Sequence, residues 1–157
     1  MGAMILAATF DIVWIQFYNN GQAGCTARNW ADSNPDYPIT PSVSTTLNYQ
    51  AWKDTINSGA SNGAKIYLGL LAGPATSCQP EGYGDFISST EADHLISAFQ
   101  GDDQFGGVML YDATSALNDC SCGVPYFDVI KDSLTGKAPL QQCTTASSST
   151  VIFTATR

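Results

Sequence analysis

The sequence has few basic residues. Only six Lys and Arg stand against fourteen Asp and Glu, which gives a formal net charge of −8. A basic face of the kind that neutralises nucleic-acid phosphates or anionic lipid is therefore not expected. We predict neither nucleic acid nor a membrane as a partner. Uncharged partners fit this composition, although acidity also serves solubility alone.

Patterns for metal binding and for membrane insertion are also missing. His94 is the only histidine, and none of the five cysteines stands in a C-x-x-C pair. A structural zinc site usually needs four Cys or His ligands at short spacings, so we predict no metal and no cofactor. The apolar stretch Ile5–Thr9 is too short for a signal-peptide core or a membrane span.

Three strand–helix units can be predicted from the hydrophobic pattern. The strands are expected at Ile12–Tyr18, Lys65–Leu71 and Gly107–Tyr111. In the first strand one set of alternate residues is purely apolar, and the other set mixes aromatic with polar side chains. A strand of a parallel barrel has this pattern, because one side packs on helices and the other faces the barrel interior. The strand–helix alternation predicts an α/β fold.

The predicted helices have separate signals. Helical spacing of apolar residues between Leu47 and Ile56 predicts a helix that Gly59 ends. Ser88 and Glu91 form a capping box for a second helix that runs to about Phe99. A third helix is predicted at Tyr126–Leu134. Long loops are expected at residues 19–44 and 112–124, which follow the first and third strands.

The chain divides into three parts in this prediction. Residues 1–4 are read as a remnant of a cloning sequence and are excluded from the fold. Residues 5–136 are predicted to form the folded unit. Residues 137–157 are rich in Ser and Thr, as is typical of a linker or tail.

Three segments resemble the plant and fungal class III chitinases of glycoside hydrolase family 18. They are F-D-I-V-W-I-Q-F-Y-N-N at 10–20, G-A-K-I-Y-L-G-L-L-A-G-P at 63–74 and G-G-V-M-L-Y at 106–111. The resemblance implies that these segments are the sixth, seventh and eighth strands of a (β/α)8 barrel. The chain is thus expected to be a partial TIM barrel of about three parallel β/α units, with chitin or chitooligosaccharide as its ligand.

The resemblance also implies a substrate-binding site at the carboxyl ends of the strands, where barrel enzymes place their sites. Tyr18 matches the tyrosine that hydrogen-bonds the N-acetyl group of the substrate, and Gln16 matches a position whose amide bonds substrate. Asn19 lies at the same strand end. Tyr111 stands where family members carry a tryptophan under the sugar, and Asp112 follows it.

The acid catalyst of the family is not found in this sequence. Family members carry D-x-x-D-x-D-x-E upstream of the first matching strand, with its glutamate as the proton donor, and no D-x-D-x-E occurs here. Asp112 is the only carboxylate that the sequence places at a strand end. We therefore name no catalytic residue and predict that this chain alone is inactive.

Cysteine usage indicates an oxidising compartment, and with the resemblance it predicts a protein that is secreted or in the cell wall. A Cys25–Cys78 disulfide is expected because both residues follow neighbouring strands. Cys143 is expected to pair with Cys120 or Cys122, since a bridge between those two is strained. The fifth cysteine fits either a lost partner or an intermolecular bridge.

Three interpretations stay open at this point. The chain is a fragment of a chitinase, catalytically incomplete as it stands, or a lectin-like chitin-binding pseudoenzyme, or a half-barrel module whose strand edges pair with another chain. Three strands cannot close a barrel that needs about eight. A homodimer or a complementary half-barrel is therefore the expected assembly.

Overall fold

The computed structural model describes residues 2–21, 25–35, 47–73, 85–118 and 124–137. Helices and strands alternate along the chain. In order they are α1 Gly2–Ala7, β1 Ile12–Gln16, α2 Ala27–Ser33, α3 Tyr49–Asn57, β2 Lys65–Leu71, α4 Ser89–Phe99, β3 Phe105–Tyr111, α5 Ala113–Asn118 and α6 Tyr126–Leu134.

The strands form one parallel sheet in the order β1-β2-β3. This confirms the predicted α/β class and the partial (β/α)8 barrel of three units. β2 has the predicted bounds, and β3 begins two residues earlier than predicted. β1 ends at Gln16 rather than Tyr18, because the chain turns there, although Phe17 N still donates to Gly69 O at 3.0 Å.

The two faces of the sheet differ as the alternating pattern predicts. Ile15, Phe17, Ile66 and Leu68 are buried on the face that the helices cover. On the other face Trp14 is 66% exposed. Side chains alternate between the faces with a period of two, so a shift of one residue would have reversed this distribution.

Two glycines allow β3 to approach Tyr67. The register between β2 and β3 shifts by one residue between Ile66 and Tyr67. A Cβ atom at Gly106 would overlap the Tyr67 ring, and Gly107 has φ +136°. The ring of Tyr67 therefore lies against backbone where any larger residue would displace it.

Three helices lie where the sequence did not predict them. α2 and α5 fall within predicted loops, and α1 includes residues 2–4, which were excluded from the fold. The Thr26 side chain caps α2, and Ala27, Trp30 and Ala31 bury one face of it. Ala60 N donates to Leu6 O at 3.1 Å and so joins α1 to the chain after α3. The predicted tail beyond residue 137 lies outside the described residues.

An ion pair joins α2 to the start of α4. Arg28 donates to Glu91 Oε1 at 2.6 Å and to Glu91 Oε2 at 3.0 Å. Glu91 also completes the predicted capping box, because Ser88 N donates to its Oε2 at 2.7 Å. Burial of Glu91 opposes its ionisation, but the hydrogen bonds from Arg28 and Ser88 outweigh this effect and lower its pKa. Glu91 thus links α2 to the start of α4.

We expect Glu91→Ala to lower the free energy of unfolding by about 1 kcal/mol at pH 7, as for loss of a helix cap. Glu91→Gln keeps an acceptor for Ser88 N and should lose less. A lowered folded pKa stabilises the fold above the unfolded pKa of about 4.3. The advantage of the wild type over Glu91→Gln should therefore shrink as the pH falls through the folded pKa.

Urea unfolding at several pH values measures this difference. In an Arg28→Met background, Glu91→Gln should change stability much less, because the charged partner is gone. A pH-independent gap between wild type and Glu91→Gln would contradict the assignment.

Within the described residues, β1 is an edge of the sheet. Asp11 O and Phe17 N bond to β2, so the intervening even-numbered residues direct their backbone groups to the open side. Ile12 there is 48% exposed and Trp14 more so. Beside this edge lies an apolar cleft of about 390 Å³. It is lined by Met4, Ile5, Phe10, Ile12, Val13 and Trp14.

The predicted homodimer should form at this edge, because an unpaired strand with exposed apolar side chains associates with other chains. Light scattering should show a dimer that Trp14→Lys converts to a monomer. Leu117→Lys removes an equally exposed apolar residue on α5 and serves as the control. A compact wild-type monomer would contradict the prediction.

Candidate functional site

Two tyrosines from non-neighbouring strands meet at the carboxyl end of the sheet. The rings of Tyr18, after β1, and Tyr111, at the end of β3, are stacked with centroids 5.5 Å apart and planes at 18°. Tyr18 is 6% exposed, whereas Tyr111 is 46% exposed. Because Tyr18 covers one face of Tyr111, the other face of the Tyr111 ring is the one available to a ligand.

The turn after β1 is held by amide side chains. Gln16 Nε2 donates to Tyr18 O at 2.9 Å. Asn20 Nδ2 donates to Gln16 O at 2.6 Å and to Cys25 O at 3.3 Å. Asn19 has φ +56°, a left-handed conformation that Asn tolerates better than most residues. The turn therefore positions Gln16, Tyr18 and Asn19 close together, and their role as a binding site stays a prediction.

Asp112 begins α5. Its Oδ1 accepts from Ser115 N at 2.8 Å, and its carbonyl oxygen accepts from Ala116 N at 2.9 Å. This is the arrangement of an N-cap residue. The peptide bond between Tyr111 and Asp112 is cis. Asp112 is thus next to the tyrosine pair in sequence, with at least one carboxylate oxygen engaged by the backbone.

Asp85 belongs to the same group of residues, and sequence reasoning missed it. Its Oδ2 accepts from Asn19 N at 2.5 Å. The strand topology could have indicated it, because parallel strands place the loops after β1 and β2 at the same end of the sheet. A carboxylate in the loop after β2 was therefore a candidate to meet the turn after β1.

The two tyrosines at the centre of the site are uncharged at neutral pH. Burial, followed by the proximity of Tyr111, raises the pKa of Tyr18 above its ordinary value, so its phenol stays protonated at neutral pH. A protonated phenol can donate a hydrogen bond as well as accept one. Among the described residues, no three His, Cys, Asp or Glu side chains are grouped to hold a metal ion.

Cys25 lies just after this turn and is the one cysteine that the described ranges include. Within the described residues Cys25 forms no disulfide, and Asn48 Nδ2 donates to its sulfur at 3.4 Å. Cys78, Cys120, Cys122 and Cys143 fall outside the described residues. The disulfide pairings stay predictions.

This arrangement suits recognition of an uncharged polar ligand. Aromatic rings offer apolar faces to sugar rings, and the phenol and amide groups offer hydrogen bonds. At the carboxyl end of the sheet, the two carboxylates among the described residues each accept from a backbone N–H. They are Asp85 and Asp112.

No helix in the described ranges is long and apolar enough to span a bilayer.

The chain is similar to several fungal proteins. No protein-family model matches the chain. It is 36% identical to Endochitinase A of Aspergillus niger over 150 residues, which are 94% of the chain and 11% of that protein. It is 34% identical to Endochitinase A1 of Aspergillus fumigatus over 145 residues, 91% of the chain and 16% of that protein.

A third relative is the Probable endochitinase of Arthroderma benhamiae. The chain is 33% identical to it over 154 residues, which are 93% of the chain and 19% of that protein. The chain therefore spans less than a fifth of the length of each of these relatives.

Proposed function

Since this chain belongs to the family of the fungal endochitinases, as its resemblance to family 18 predicted, we propose that it is a chitinase-like half-barrel that binds N-acetylglucosamine oligomers without hydrolysing them by itself. The stacked pair of Tyr18 and Tyr111 at the carboxyl end of the sheet is the observation that carries the proposal.

Each predicted site residue has a role in this proposal. The outer face of Tyr111 stacks on a sugar ring, and the protonated Tyr18 phenol donates to the acetamido oxygen. Gln16 and Asn19 offer amide groups from the turn beside them. Asp112 lies at the end of the same strand as Tyr111 and borders the ligand.

The absence of hydrolysis follows from the acid–base chemistry. Loss of a positioned general acid costs about 10²- to 10⁴-fold in rate, and this sequence contains no D-x-x-D-x-D-x-E. Asp85 and Asp112, the two carboxylates among the described residues at this end of the sheet, each accept a hydrogen bond from a backbone N–H instead. They are poorly placed to exchange protons with a leaving group.

The open edge of β1 favours a second candidate function. A complementary half-barrel that pairs with this edge would supply the missing acid and produce an active chitinase that cleaves β-1,4 linkages between N-acetylglucosamine units. A lectin-like pseudoenzyme is the alternative if no such half exists. In either case we place the protein outside the cell or in the cell wall, where chitin is found.

We expect wild-type protein to bind chitotetraose and Tyr18→Phe to bind it about 2- to 10-fold more weakly, the effect of one neutral hydrogen bond. Isothermal titration measures both affinities. Phe keeps the stacked ring and removes only the hydroxyl.

Two controls make this result specific. Tyr111→Trp enlarges the stacking face and should strengthen binding, in the opposite direction to Tyr18→Phe. Cellotetraose lacks acetamido groups, so the wild type should bind it more weakly and Tyr18→Phe should change that affinity little. Equal affinity of the wild type for both sugars would contradict the proposed role of Tyr18.

A fluorogenic chitobioside should show no turnover with the isolated chain, because the proton donor is missing. Asp112→Asn should leave this null result unchanged. Turnover by the wild type that Asp112→Asn abolishes would make Asp112 a catalyst and overturn the proposal.

A further inference from the structure

The peptide unit that joins Tyr18 to Asn19 is held at both ends by side chains. Gln16 Nε2 donates to its carbonyl oxygen at 2.9 Å. Its N–H donates to Asp85 Oδ2 at 2.5 Å, from a residue 66 positions further along the chain. The plane of this one peptide is therefore fixed both from the end of β1 and from the loop after β2.

The conformation at Asn19 needs such support. Its φ of +56° is one that residues with a Cβ atom rarely adopt. A hydrogen bond to an ionised carboxylate is roughly twice as strong as one between neutral groups. The bond from Asn19 N to Asp85 thus stabilises a backbone conformation that is unfavourable by itself.

The orientation of this peptide determines where the Tyr18 ring lies. Rotation of the peptide plane would change the course of the backbone directly after Tyr18. Because the Tyr18 ring is closely packed, at 6% exposure, such a change would displace it. Its stacking on Tyr111 depends on that placement. We propose that Asp85 is a positioning residue that, with Gln16, clamps the Tyr18–Asn19 peptide and holds the Tyr18 ring against Tyr111.

Gln16 thereby has a second role. Its amide nitrogen is occupied by Tyr18 O, so the amide group acts on the turn as well as on any ligand. The part of this inference that concerns sugar affinity rests on the proposed function. The part that concerns the position of Tyr18 does not, and the two can be measured separately.

Three variants test the clamp. Asp85→Ala removes the acceptor, and Asp85→Asn keeps an oxygen that can accept from Asn19 N. Asp11→Ala is the control, because Asp11 is an exposed carboxylate at the opposite end of β1. Nuclear Overhauser contacts between the Tyr18 and Tyr111 rings, and the shift of the Asn19 amide proton, are the readouts.

We expect Asp85→Ala to lose the contacts between the rings and to move the Asn19 amide proton upfield. Asp85→Asn should restore most of the ring contacts, and Asp11→Ala should match the wild type. Unchanged ring contacts in Asp85→Ala overturn the proposal, as does an Asp85→Asn variant that loses them as completely as Asp85→Ala.

Chitotetraose binding provides the second measurement. Asp85→Ala should weaken it about 10-fold, with Asp85→Asn in between, because the phenol is no longer held in place. If no variant, including the wild type, binds chitotetraose, the proposed function fails while the ring contacts still decide the clamp. If Asp85→Ala loses the ring contacts but binds as tightly as the wild type, the clamp on the Tyr18 ring stands and its contribution to sugar affinity is refuted.

Discussion

The parallel pairing of β2 with a strand on each side is the constraint on which the rest of this structure depends. Its register fixes which side chains of β1 and β3 meet the helices and which face the open side. Because the strands are parallel, their carboxyl ends also lie at the same end of the sheet. The contact between Tyr18 and Tyr111 follows from this geometry, although Tyr111 lies 93 positions after Tyr18 in the chain.

In the described residues at the carboxyl end of the sheet, polar side chains form hydrogen bonds with the backbone. Asp85 and Asp112 each accept from a peptide N–H, and Gln16 donates to a carbonyl. Such bonds hold irregular backbone that the sheet itself does not order. These three side chains therefore hold the backbone around the two tyrosines.

The sheet could be predicted from the sequence because its signal is local. β2 lies at the predicted residues, and α4 and α6 have the predicted ends. The capping box at Ser88 marks the start of α4. α2 was missed because it is short and stands among residues typical of loops. Its buried face consists of Ala27, Trp30 and Ala31, which is too short an apolar pattern to predict a helix, and burial of this face stabilises the helix.

The topology brings the loop after β2 close to the turn after β1, but the particular hydrogen bond of Asp85 could not be predicted from the sequence. The partner of Asp85 is a backbone N–H in another loop, and no side-chain pattern records where a backbone group points. The contact between Tyr18 and Tyr111 could be predicted only from the register of all three strands. By contrast Gln16, Tyr18 and Asn19 were found because they stand together at one strand end and resemble a known segment.

Chemical-shift mapping with chitotetraose tests the central claim most directly, because it locates the ligand without depending on turnover. We expect perturbations at Gln16, Tyr18 and Tyr111, and none on the outer surface between α3 and α4, where Leu47 and Gly101 line a separate cleft. Perturbations confined to that outer surface, or none at saturating sugar, would contradict the claim.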